Sequence, residues 1–136
     1  MKFLKLSLLT LPLIFAQGAF AHTDEYLDTQ TAPHGGQLRM AGAQHYELVV
    51  KPNDVTIYLT DHAGTKITSA GASGSATVLS GSGKAAITLT PAGDNLMKGA
   101  GKFALAPEMK VVVSISLPGQ AAQQARFTPL KKKADK

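Results

Sequence analysis

No cysteine occurs in the 136 residues. Disulfides, thiolate metal sites and cysteine nucleophiles are therefore excluded, and burial of apolar side chains must hold the fold together. Long apolar runs are also scarce. The one run present, residues 6–15, follows Lys2 and Lys5 and precedes Ala19-Phe20-Ala21, a small-x-small cleavage pattern. At roughly 10 residues it is too short to span a bilayer, which takes about 20. Residues 1–21 are thus expected to be a signal peptide cut after Ala21, with the mature chain starting at His22. The bacterial style of this leader points to the periplasm, with no stable membrane insertion after cleavage.

Excess charge of one sign is missing from the body of the chain. The formal charge is +5, but Lys2 and Lys5 leave with the leader, and the remaining +3 equals that of the tail, residues 131–136, four lysines with Asp135. The folded part is near neutral. A lysine run without interleaved aromatics reads as a solvated, disordered end, and a nucleic-acid partner is not expected.

Catalytic patterns are lacking too. The glycine-rich stretches 71–74 and 81–83 precede strands rather than helices and lack the form of a phosphate loop or a nucleophile elbow. A histidine-based copper oxidase would need an open coordination position and a substrate groove, and no sign of either is visible. The chain is therefore read as a non-enzyme.

What is present is a series of short runs rich in Val, Ile, Leu, Tyr, Phe and Thr: residues 44–51, 54–60, 75–79, 85–90, 102–105, 111–117 and 124–128. Turn residues separate them, with Pro52-Asn53-Asp54 suited to a tight hairpin. The expectation is an all-β fold, a single antiparallel β-sandwich of about seven short strands, immunoglobulin- or cupredoxin-like, or barrel-like. Its organisation would be a flexible lead over residues 22–32, a β domain over 33–130 and the tail over 131–136.

Alternation assigns faces. Tyr46, Leu48 and Val50 share one side of their strand and His45, Glu47 and Val49 the other; Val55, Ile57 and Leu59 form the core side of the next. A tight hairpin brings the start of the first strand beside the end of the second, and so His45 toward Asp61 and His62. His34, followed by the pliable Gly35-Gly36, needs only to fold back, and residues 37–40 can pair as a short edge strand. Three imidazoles at one end of such a fold suit a copper or zinc ion. Asp61 or Glu47 could orient a ring or supply a fourth ligand. Met40 lies between His34 and His45, and His22, as a free N-terminus, could chelate Cu²⁺. Taken singly, each histidine also has a bland reading as a polar turn, strand or loop residue.

Several strings carry a resemblance: His34-Gly35-Gly36, His45-Tyr46-Glu47-Leu48-Val49, Ile57-Tyr58-Leu59-Thr60-Asp61-His62-Ala63-Gly64, and the stretch 89–96. Over residues 33–127 the chain resembles a small periplasmic β-domain of heavy-metal handling, which occurs alone and at the N-terminus of heavy-metal efflux adaptor proteins. The resemblance implies non-catalytic binding of copper or zinc in resistance, homeostasis or efflux support, with His34, His45 and His62 as the matching positions. An efflux component is the implied protein partner. The chain ends soon after the β-domain, without a long helical hairpin or lipoyl-like region, which favours a free-standing carrier or sensor. The alternative is a β-sandwich interaction module that docks on an envelope or efflux partner, its histidines incidental.

Overall fold

A computed structural model describes residues 23–132. In chain order these form α1 (Asp24–Thr29), β1 (Gln37–Ala41), β2 (Gln44–Lys51), β3 (Asp54–Asp61), β4 (Ser73–Ser80), β5 (Gly83–Pro91), β6 (Leu96–Ala100), β7 (Lys110–Ser116) and β8 (Gln123–Phe127). All eight strands join in one antiparallel sheet, in the order β1-β2-β3-β6-β5-β4-β7-β8. The sheet curls until its end strands β1 and β8 lie side by side. The all-β expectation therefore holds, realised as a nearly closed barrel. At the seam the Thr128 N–H donates to Gln37 Oε1 over 2.8 Å, where a side chain replaces a backbone ladder. The leader, His22 and residues 133–136 lie outside the described residues.

The β2–β3 hairpin follows the sequence pattern closely. Lys51 pairs with Asp54 across the two-residue connection, and register runs back to Gln44 opposite Asp61. Asn53 takes the left-handed conformation, φ 61°, which its short polar side chain tolerates better than most. Tyr46, Leu48, Val55, Ile57 and Leu59 are completely buried inside the barrel against Val78, Leu89, Met97, Val111 and Phe127. Burial of this apolar set is the main stabilising contribution, at roughly 25 cal/mol per Å² removed from water.

Two expectations need correction. The run 102–105 forms no strand; β6 precedes it, pairing with β3 from Asp54 opposite Ala100 to Tyr58 opposite Leu96. β6 contains a glycine and has little β-branched character, so local preference does not mark it. It is selected by its neighbours instead. A Cβ on Gly99 would stand 2.4 Å from the Thr88 carbonyl oxygen, so only glycine permits this close crossing of β5. Phe103 still packs against the core, without a ladder.

The second correction concerns the acidic lead. Within the lead expected to be flexible over residues 22–32, Asp24–Thr29 forms a helix, and that helix is docked. The Thr23 hydroxyl accepts a hydrogen bond from the Tyr26 N–H at 3.2 Å, with Asp24 and Glu25 in the first turn, an arrangement that satisfies an orphan donor and suits the helix dipole. Leu27 is buried. Arg39 of β1, itself buried, donates to Asp28 at 2.8 Å and lies 3.6 Å from Asp24. α1 thus packs along β1, one of the two end strands that meet at the seam.

Candidate metal site

The outer face of β1, β2 and β3 carries the polar chemistry. Paired residues of an antiparallel ladder share a face, so two rows form there. One row is Leu38, Glu47 and Tyr58; the other is Met40, His45 and Thr60, with His62 just beyond β3. Alternation places His45 and Glu47 on this side of β2, away from the core. Both are nevertheless buried: the segment 33–36 folds back onto Glu47, the His62 ring stacks on His45, and α1 borders the same cleft.

Glu47 organises the first row. One carboxylate oxygen accepts from the His34 N–H at 2.8 Å and the Gly36 N–H at 3.0 Å, while the other lies 2.7 Å from His34 Nδ1. Three donors for one buried carboxylate satisfy a group that would otherwise be costly to bury. Because an ionised carboxylate only accepts, Nδ1 carries the proton, and in the neutral ring Nε2 keeps its lone pair. The His34 ring lies flat on Tyr58, centroids 3.6 Å apart and planes within 2°. Gly36 is needed for this fold-back, since a Cβ there would stand 2.3 Å from the Leu48 carbonyl oxygen.

The second row contains the histidine pair. The His45 and His62 rings stack at 4.8 Å between centroids with planes 24° apart, and His62 Nε2 makes a long 3.5 Å contact with the Gly42 carbonyl. Asp61 builds the turn that presents His62: its Oδ1 accepts from the Ala63 and Thr65 N–H groups, both at 2.9 Å, and Gly64 closes the turn at φ 84°. By alternation Asp61 lies on the other face from His45. Its Oδ1 thus serves as a turn former, whereas the Glu47 carboxylate is hydrogen-bonded to His34.

His34, His45, His62 and Glu47 all line one cleft of about 540 Å³, bounded on another side by Tyr26 and Leu27 of α1. Only His45 and His62 form a ring pair among the three. Among the described residues no group of three or more His, Asp or Glu side chains is already gathered as a metal cluster. Tyr58 and α1 were not anticipated as parts of the site. Tyr58 was legible in principle, since it alternates onto the outer face directly opposite Glu47; α1 was not.

Comparison with protein-family models, with curated proteins and with solved structures found no match for this chain. The fold and the cleft therefore carry the functional argument.

Proposed function

We propose that this is an exported, non-catalytic metal-binding protein that holds a copper or zinc ion with the histidines of its outer cleft, in heavy-metal resistance, homeostasis or efflux support. The observation that carries this reading is that every histidine among the described residues, His34, His45 and His62, lines the same cleft. Neutral imidazole suits both ions. His45 and His62 are already adjacent, and turning either ring about its Cβ–Cγ bond is what would direct two nitrogens at one point. His34, proton on the Glu47 side, has the carboxylate–imidazole arrangement that commonly supports a ligating histidine. No helix among the described residues is long and apolar enough to cross a membrane.

Calorimetric titration with Cu²⁺ and Zn²⁺ tests the reading on the chain starting at His22. The wild type should bind one ion, and a His34→Ala, His45→Ala, His62→Ala triple variant should lose at least about tenfold in affinity. Binding should also weaken between pH 7.5 and pH 5, because ligating imidazoles must be neutral. Equal, weak binding by wild type and variant would overturn the assignment and leave an interaction module with incidental histidines.

A further inference from the structure

We propose, resting on the metal-binding reading, that the third donor at the His45–His62 pair is the thioether of Met40 and that the ion this site selects is Cu⁺. The β1–β2 register sets Met40 directly opposite His45, on the same face and in the same row. Directly opposed residues have Cβ atoms about 4.5–5.5 Å apart, whereas successive rows on a face are separated by roughly 6.5–7 Å. Met40 is therefore the one methionine among the described residues that shares a row with His45. His34 belongs to the neighbouring row, where Glu47 and Tyr58 hold it in place.

The methionines differ in the way this role requires. Met97 and Met109 are wholly buried in the barrel core, while Met40 is half-buried on the outer face. An unbranched thioether can swing toward an ion without moving the backbone.

The absence of anionic donors in the second row points to a monocation. Glu47 is taken up by three hydrogen bonds, and Asp61 lies on the opposite face with Oδ1 committed to its turn. Two imidazoles and a thioether supply no negative charge. A divalent ion held by them in a partly buried cleft would keep its full charge uncompensated, which is costly. A Cu⁺ ion brings half that charge, accepts three-coordination, and prefers sulfur. Zn²⁺ takes four ligands and gains little from a thioether.

The test compares wild type with Met40→Leu, a swap that conserves volume and apolar character. Cu⁺ affinity would be read anaerobically by competition with a chromophoric Cu⁺ chelator, Zn²⁺ affinity by competition with a Zn²⁺ indicator, and the Cu⁺ shell by X-ray absorption. Wild type should hold one Cu⁺ with a sulfur neighbour. The variant should lose that sulfur and bind Cu⁺ at least about tenfold more weakly, with Zn²⁺ affinity within about twofold of wild type. An all-nitrogen or oxygen shell in wild type, or unchanged Cu⁺ affinity in the variant, would overturn the Met40 assignment while leaving a histidine site standing. If wild type binds neither ion, the metal-binding reading falls and this proposal with it. Thermal melts of both chains check that the variant is folded.

Discussion

Buried residues stand on both faces of the β2–β3 hairpin, for opposite reasons. On the inner face Tyr46, Leu48, Val55, Ile57 and Leu59 are sealed by apolar neighbours from the rest of the barrel. On the outer face His45 and Glu47 are nearly as inaccessible, but what lies against them is polar: a glycine-hinged loop hydrogen-bonded to Glu47 and the His62 ring on His45, with the docked α1 at the border of the cleft. Apolar burial is non-directional and tolerates many arrangements; a buried carboxylate demands each of its partners. Stability therefore resides on one side of the hairpin, and chemical specificity on the other.

Leu48→Ala strikes the inner face and should cost about 2–5 kcal/mol in urea unfolding, through lost transfer energy and the cavity left behind. Metal affinity of the folded fraction should stay within about twofold. A large affinity loss in the folded protein would mean that the faces are not separable as described.

High pH probes the same face through Tyr46, whose phenol is held in the core without a hydrogen-bond partner and is pushed up to about 12 by that burial. Unfolded, the phenol titrates near pH 10. The folded chain thus keeps a proton that the unfolded chain gives up. The associated stability, roughly 2–3 kcal/mol, is fully present below pH ~10 and is lost as pH rises through about 12. Tyr46→Phe should remove this alkaline loss and match or exceed wild-type stability at pH 7; denaturation curves at pH 7 and at alkaline pH check both statements.

Glu47→Ala attacks the outer face. It strands the His34 and Gly36 N–H groups and should cost about 2 kcal/mol, with amide exchange accelerated at Gly36 while the core amides of β2 stay protected. Nitrogen NMR of the His34 ring should at the same time show its proton no longer confined to Nδ1. Equal exchange across both faces would show that the outer cover is not a separate unit.

The smallest effect is expected at the margin of that cover. Asp28→Asn weakens an exposed carboxylate's pairing with Arg39 and should cost about 0.5–1 kcal/mol. Limited proteolysis near α1 should quicken, with little change in the melting of the barrel.

The extent to which the site could be read in advance follows the range of the interactions involved. β2, β3 and their turn were legible because alternation and a turn at Pro52-Asn53 are local signals. From these alone, antiparallel return places the beginning of β2 beside the end of β3, with His45 opposite Thr60; the proximity of His45 to His62 was thus accessible. β6 was missed because Leu-Met-Lys-Gly-Ala has little strand preference of its own; its ladder with β3 and the passage of Gly99 over Thr88 define it. Phe103 made the neighbouring run look like a strand, yet it only packs. α1 escaped for the same reason as β6: six residues are too few for a stable helix in isolation, and Leu27 and Arg39 supply what the segment lacks.

The chain's pattern alone settles an all-β core without disulfides, the hairpin at its heart and the meeting of two histidines, because each depends on side-chain alternation and turn chemistry within a few residues. The burial of His45 and Glu47, the tautomer of His34, its stack on Tyr58 and the closing of the cleft belong to the assembled molecule. Glu47 draws its hydrogen-bond donors from 11 and 13 residues upstream, and no local preference encodes partners at that distance; they meet only once the barrel presents a face for α1 and the loop 33–36 to cover.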